Sequence, residues 1–247
     1  MHIASNKCKA KLLSSFIKKD ESSCIYLVGD VIDIWRFSQA FKMDIETQAY
    51  HVECIRRLLK KSKNGEVHYI WGNHDEFMQR FAESKSFGGV YLHERCEYTA
   101  SDGRRYLVLH GHQFDLVCKY KIGTLISKIG DVGYEILINI NEWYNWVRKK
   151  LGLRYSSLSK YVKVKFKKAT MFIGNFEKHL AQYAEQHGYD GVICGHIHDP
   201  ADKLIKSKDM TKQIHYLNCG CWTDEANLNY LIDRGDGKGL ILCKYEG

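Results

Sequence analysis

The sequence predicts an α/β fold, because short apolar runs alternate with segments whose apolar residues recur at helical spacing. Residues 25–28 form a continuous apolar run, which is typical of a parallel strand whose two faces are both buried. Residues 9–19 and 47–62 carry apolar stripes and predict amphipathic helices. Further strands are predicted at residues 67–71, 106–109, 191–194, 213–218 and 239–244, with the last two completing the sheet.

Residues 89–109 indicate antiparallel strands, with a hairpin turn at Ser101-Asp102-Gly103. The segment 116–187 is different in kind, because its apolar residues recur every three or four positions over two long stretches. Two helices of that length exceed an ordinary crossover between parallel strands. We therefore expect one domain spanning residues 1–247, with a helical cap inserted at about residues 116–187.

The composition is that of an ordinary globular protein, with 45% hydrophobic and 27% charged residues. The nine cysteines are scattered without a C-x-x-C pair, which favours reduced thiols in a cytoplasmic protein over a secreted disulfide scaffold. No apolar run approaches the ~20 residues of a membrane-spanning helix. The formal net charge of +8 indicates anionic partners without choosing among phosphates, nucleic acid and an acidic membrane surface.

Polar side chains of metal-ligand type follow four of the predicted strands. Ligands in open α/β sheets lie at the carboxyl ends of strands, so these side chains are expected to meet at one edge. Their oxygen and nitrogen donors suit manganese, iron or zinc, and two such ions clamp a phosphoryl group during displacement. The pattern therefore predicts a two-metal phosphoesterase. The residues are Asp30; Asn73, His74 and Asp75; His110 and His112; and His196 and His198.

This series of motifs resembles the calcineurin-like metallophosphoesterase superfamily. Within it, the chain further resembles the branch of bacterial UDP-2,3-diacylglucosamine hydrolases over essentially its whole length. The resemblance implies a four-layer α/β/β/α sandwich with the helical cap inserted. It also implies two divalent metal ions, of which manganese is the expected choice.

The resemblance implies a role for each motif residue. Asp30 would bridge the two metals, with Asn73, His110 and His196 at one ion and His2 and His198 at the other. His74, oriented by Asp75, would stabilise charge or donate a proton at the phosphate. Asp33 would hold a ligand by hydrogen bonding, although an acid at a helix start explains its position equally well.

The chain departs from the family pattern in two places. The superfamily begins with Asp-x-His at the end of a first strand, but here only Met1 and His2 stand at that position. We expect the missing acid and first strand to be encoded upstream of Met1; the alternative is a variant that holds its second metal weakly. In addition, the diacylglucosamine hydrolases carry an arginine where this chain has His74.

Several residues are candidate substrate contacts. His112 and Asp115 follow the third motif, while Lys160, Lys163 and Lys167 form a cationic row beside an apolar stripe in the insertion. That row would suit a phosphorylated glycolipid or nucleotide sugar, but a solvated lysine face is the plainer interpretation. A peripheral contact with the anionic inner face of the cell membrane is also expected.

The expected reaction is hydrolysis of UDP-2,3-diacylglucosamine to a lipid X-type monophosphate and UMP, a step of lipid A biosynthesis. A phosphatase or phosphodiesterase for soluble nucleotides or phosphoproteins is one alternative. A catalytically impaired binding protein that lacks the first metal-ligand aspartate is another. Nucleic-acid binding is not expected, because the basic residues are not interleaved with aromatic residues on strands.

Overall fold

A computed structural model describes residues 1–84, 86–87, 89–117, 144–145, 147–152, 173–207 and 212–247. The chain divides into two compact units, one formed by Met1–Phe114 with Lys178–Gly247 and the other by Asp115–Glu177. Residues 144–145 and 147–150 of the second unit are helical. A further helix spans residues 173–186, of which residues 178–186 belong to the first unit. A helical cap at 116–187 stays a prediction, and most of that range lies outside the described residues.

The first sheet contains four strands: β1 (Cys24–Val28), β2 (Glu66–Ile70), β3 (Ser86–Phe87) and β4 (Val90–His93). Their order is β1-β2-β4-β3, with β1, β2 and β4 parallel and β3 antiparallel to β4. The expectation that the whole segment 89–109 is antiparallel is wrong for β4. This strand pairs with β2 in parallel, and Val90 and Leu92 are thereby buried.

The second sheet contains β5 (Arg95–Thr99), β6 (Arg105–Leu109), β7 (Gly191–Cys194), β8 (Ala201–Lys206) and β9 (Gln213–Asn218), in the order β5-β6-β7-β9-β8. The predicted hairpin is confirmed, since β5 and β6 pair antiparallel on either side of Ser101-Asp102-Gly103. Strands β6, β7 and β9 run parallel.

Residues 239–244 do not complete the sheet, so that expectation is wrong. Strand β11 (Leu240–Lys244) instead pairs with β10 (Asn229–Asp233) in a separate two-stranded sheet. The edge position next to β9 belongs to β8. This strand was not predicted, because exposed charged residues such as Asp202 and Lys203 interrupt its apolar pattern. Charged residues on an edge strand discourage pairing with other chains.

One face of the first sheet is covered by α1 (Ala10–Lys19) and α3 (Ile45–Lys61); a short helix, α2 (Phe37–Ala40), precedes α3. Asp44 caps the N-terminus of α3, because its side chain accepts a hydrogen bond from the Thr47 backbone N–H at 2.9 Å. The helix buries His51, Cys54 and Leu58.

The apolar stripe expected on α3 consists of Ala49, Val52, Ile55, Leu58 and Leu59. Leu58 is buried as expected, but Val52, Ile55 and Leu59 are 66%, 36% and 39% exposed. The buried face is rotated by about one residue, because α3 meets α1 through the small side chain of Cys54, whose thiol lies 3.4 Å from the Ala10 carbonyl.

A second core lies between the two sheets. Ile70 of β2 packs there with Tyr106 and Val108 of β6, Ile193 of β7 and Leu217 of β9. This face-to-face packing of sheets, with α1 and α3 outside the first, confirms the α/β sandwich. Among the described helices, none is both long and apolar enough to cross a lipid bilayer.

Backbone hydrogen bonds bring the strand ends together. The Gly29 N–H donates to the Ile70 carbonyl at 2.8 Å, joining the ends of β1 and β2. The Gly195 N–H donates to the His110 carbonyl at 3.2 Å, joining the ends of β7 and β6. A Cβ atom at Gly29 would overlap the His110 ring, so the residue after β1 lies directly against the residue after β6.

We predict that Gly29→Ala destabilises the protein much more than Gly103→Ala. Both glycines have positive φ, +71° and +86°, but a Cβ at Gly103 meets nothing within 4 Å. The control variant Gly103→Ala should therefore lower the free energy of unfolding by about 1–2 kcal/mol, through backbone strain alone. Gly29→Ala adds overpacking against His110, for a total of roughly 2–5 kcal/mol. Denaturant unfolding in the presence of a chelator measures both; equal losses would contradict this packing.

Candidate metal centre

Left-handed backbone conformations are concentrated on the predicted ligands. Among the described residues, five non-glycine residues have positive φ, and four of them are His2, Asp30, His196 and His198. Such conformations cost about 1–3 kcal/mol each and persist where the surrounding structure enforces them, most often at functional sites. The strain places all four side chains in one region at the edge of the sandwich.

One ligand group consists of Asp30, His110 and His196, with one donor atom of each lying within 4.8 Å of the others. The His110 Nε2 atom is 3.3 Å from Asp30 Oδ2 and 3.3 Å from His196 Nδ1. His110 Nδ1 lies 3.4 Å from the Val28 carbonyl, to which it donates its proton. In the neutral form of the ring, a proton on Nδ1 leaves Nε2 with the lone pair that a metal requires.

The second group consists of His2, Asp30 and His198. The His2 Nε2 atom is 3.0 Å from His198 Nε2 and 3.7 Å from Asp30 Oδ2. His2 is only 5% exposed, and its backbone N–H donates to the Asp30 carbonyl at 2.7 Å. These are the three residues that the family resemblance groups at one ion.

Asp30 thus belongs to both groups. Its Oδ1 accepts the His74 backbone N–H at 3.0 Å, while Oδ2 faces the two histidine groups. Burial by itself raises the pKa of Asp30, but the hydrogen bond and charge of His110, the His74 N–H and the His2 ring together lower it well below its usual range. The carboxylate is therefore ionised, as a bridging ligand must be.

The histidines of the second group are held neutral. Burial, with smaller contributions from the His2 ring and the amino terminus, lowers the pKa of His198 to about 3, against the opposing charge of Asp30. Burial also lowers the pKa of His2, against the opposing hydrogen bond of Asp33. A neutral imidazole keeps a lone pair for a cation, whereas a protonated one repels it.

Asp33 connects this centre to His74. Its Oδ2 lies 3.3 Å from His2 Nδ1, and its Oδ1 lies 2.9 Å from His74 Nδ1. Burial opposes ionisation, but the hydrogen bonds of the two histidines lower the pKa of Asp33 to about 2. A carboxylate that accepts the Nδ1 proton of a histidine fixes its ring and increases the basicity of Nε2. Asp33 therefore hydrogen-bonds the predicted ligand His2, and its role in supporting a metal site stays a prediction.

The expectation that Asp75 orients His74 is wrong. Asp75 is fully buried and accepts hydrogen bonds from Gly72 N–H at 2.6 Å, Val31 N–H at 2.7 Å and the Tyr69 hydroxyl at 2.5 Å. These contacts tie the loop after β1 to the loop after β2. Adjacent side chains in a tight loop point apart, so the partner of His74 comes from the other loop, as Asp33.

The side chain of Asn73 gives a further reason to expect a divalent cation at this centre. The Oδ1 atom of Asn73 is buried and has no hydrogen-bond partner among the described residues. A buried amide oxygen left unpaired costs about 1–3 kcal/mol, so its position calls for a cationic partner. Oxygen and imidazole donors with no thiolate suit manganese, iron or zinc.

The predicted substrate contacts have different outcomes. The ring of His112 lies 5.6 Å from that of His110, beside the first ligand group. Asp115 is in a short helical turn, His112–Val117, but its side chain is outside what the structure describes. Lys160, Lys163 and Lys167 lie outside the described residues altogether. All five stay predictions.

Two neighbours of the centre are not part of the sequence motifs. The Trp35 ring lies 4.4 Å from the His74 ring, tilted by 35°, and Trp35 is 64% exposed. The Arg36 side chain lies 3.7 Å from Asp33 Oδ2. Both belong to the short turn Ile34–Arg36 directly after Asp33. The only indication of them in the sequence was a tryptophan two residues after the motif acid Asp33.

The family comparison agrees with this geometry. The sequence model of the calcineurin-like phosphoesterases matches residues 9–200, and the chain therefore belongs to this family of metal-dependent phosphoesterases. A search of curated proteins gives no match.

We predict that Asp33→Asn weakens metal binding or activity by about 10–100-fold, because an amide cannot accept both Nδ1 protons. Asp75→Asn is the matched variant, and we expect it to act mainly on stability. Its amide group would face backbone donors, at a cost of roughly 1–3 kcal/mol.

Metal titration followed by calorimetry, with denaturant unfolding in chelator, separates the two effects. The assignment fails if Asp75→Asn leaves stability unchanged and reduces activity as strongly as Asp33→Asn.

Proposed function

We propose that the protein is a two-metal hydrolase of phosphoric esters or anhydrides. The observation that carries this proposal is the carboxylate of Asp30, which lies between two separate histidine groups. Asp30, Asn73, His110 and His196 would hold one ion, and His2, Asp30 and His198 the other. When bound, such a pair of cations lowers the pKa of water and neutralises charge on phosphoryl oxygens. Manganese is the proposed metal.

His74 is the proposed proton donor. Its Nδ1 atom is held by Asp33 at 2.9 Å, which leaves Nε2 to hold a proton against a phosphate oxygen. The ring is fixed further by His2, whose centroid lies 4.9 Å away at 90°. A group positioned in this way stabilises charge as it develops on the departing oxygen.

The proposed substrate is UDP-2,3-diacylglucosamine, cleaved to UMP and a lipid monophosphate in the pathway to lipid A. Two observations support an apolar group next to the phosphate. Trp35 contacts the proposed proton donor and is 64% exposed, and its neighbour Ile34 is 38% exposed. The net charge of +8 would favour a peripheral contact with an anionic membrane, where such a substrate resides.

His74 itself favours a second candidate. The diacylglucosamine hydrolases carry arginine at this position, whereas histidine is the residue of the wider superfamily. A soluble nucleotide or phosphoprotein would then be the substrate, with Trp35 stacking on a base or packing against a peptide.

We predict that the protein with manganese releases UMP from UDP-2,3-diacylglucosamine in mixed micelles and also cleaves an aryl phosphodiester. Asp30→Asn should abolish both activities and reduce bound manganese from two ions per chain. Cleavage of the aryl ester without the lipid would reject the lipid substrate and retain the hydrolase. Fewer than two ions per chain in excess manganese, with neither activity, would indicate a binding protein instead.

Trp35→Ala tests the apolar contact within the same assay. We expect kcat/KM for the lipid to fall about tenfold more than kcat/KM for the aryl ester, which corresponds to roughly 1.4 kcal/mol. Leu204→Ala is the control, since Leu204 is 60% exposed on the edge strand β8. Equal losses of kcat/KM on both substrates would show that Trp35 does not support the proposal of a lipid substrate.

A further inference from the structure

A second set of ligand-type side chains lies at the opposite end of the first sheet. Cys24 and Glu66 are the first residues of β1 and β2 and stand directly opposite each other in the parallel register. His68 follows two residues after Glu66, so its side chain is on the same face of the sheet. The motif glycines Gly29 and Gly72 follow the other ends of these strands.

The three side chains converge. One donor atom from each of Cys24, Glu66 and His68 lies within 4.8 Å of the others. His68 Nε2 is 3.4 Å from Glu66 Oε2. Two ligands of a tetrahedral zinc ion, at bond lengths of about 2.0–2.1 Å, stand roughly 3.3–3.4 Å apart. The separation of these two atoms therefore already matches that of ligands on one ion.

The His68 ring is held in place before any ion binds. Its Nδ1 lies 3.0 Å from His93 Nε2, across the boundary between β2 and β4. The ring stacks on Tyr26 at 4.6 Å and 10°, and on Tyr91 at 5.3 Å and 23°. With Nδ1–H donating to His93, Nε2 presents its lone pair towards the Glu66 carboxylate and the Cys24 thiol. Metal-binding histidines are typically oriented by a partner of this kind.

We propose that Cys24, Glu66 and His68 bind a zinc-type divalent cation, with His93 positioning His68. Sulfur, nitrogen and oxygen donors together select a borderline metal and disfavour magnesium and calcium, which take oxygen ligands. Three protein ligands leave one coordination position for water or a further ligand. The Glu66 side chain is 63% exposed, so an ion can reach the site from solvent while the protein stays folded. This site is independent of the proposed phosphoesterase centre.

Cobalt(II) is the probe that separates the two centres. The ligands assigned to the Asp30 centre include no cysteine, so a near-ultraviolet thiolate-to-cobalt charge-transfer band reports on the Cys24 site. We expect the full-length protein to show this band on cobalt titration and zinc to displace it. Asp30→Asn should retain the band, because its ligands belong to the other end of the sheet.

Cys24→Ser should eliminate the band, and Cys243→Ser, which changes a similarly half-buried cysteine on β11, should retain it. His68→Gln should weaken cobalt binding at least tenfold, and His93→Gln should weaken it by about 10–100-fold. Thermal unfolding in chelator verifies that each variant is folded. A wild-type protein without the band, or a Cys24→Ser protein that keeps it, overturns the proposal and leaves a hydrogen-bonded chain from His93 through His68 to Glu66.

Discussion

The position of the Asp30 carboxylate is the constraint on which the centre depends. The residue has a φ of +48°, which a side chain tolerates only where neighbouring structure enforces it. Three contacts do so: the His74 N–H binds Oδ1, His110 faces Oδ2, and the His2 N–H binds the Asp30 carbonyl. Each contact comes from a different segment of the chain, so the centre forms only when both sheets have assembled.

Asp75 and Asp33 stabilise the surroundings of this carboxylate in different ways. Asp75 accepts hydrogen bonds from both loops and fixes the backbone that carries Asp30. Asp33 reaches the side chains instead, with one oxygen on His2 and the other on His74. The proposed metal ligand and the proposed proton donor therefore share one carboxylate. Neutralising Asp33 would therefore weaken the hydrogen bonds to His2 and His74 at the same time.

Strands β1, β2, β6 and β7, the ligand motifs and the hairpin at Ser101-Asp102-Gly103 were predictable from the sequence, because each is encoded by local pattern. Apolar runs identified β1, β2, β6 and β7, and polar residues after them identified the ligands. The grouping of His2 with His198 came from family resemblance, and the described geometry places them together.

Other features depend on contacts between distant segments. Nothing in the spacing of Asp33, His74 and Asp75 shows which acid meets the histidine, since that is decided by the direction of two loops. The buried face of α3 is set by the close approach of Cys54 to α1, not by its most apolar stripe. Cys24, Glu66 and His68 lie on two strands without a spacing motif, so only the parallel register reveals them.

The proposed sharing of Asp30 by two metal ions can be tested by electron paramagnetic resonance of the manganese-loaded protein. Two manganese ions that share a carboxylate lie about 3.5–4 Å apart and are magnetically coupled. We predict the spectrum of a coupled pair at two equivalents of manganese, replaced by that of isolated ions in Asp30→Asn. Isolated ions in the wild-type protein at full occupancy would contradict the account.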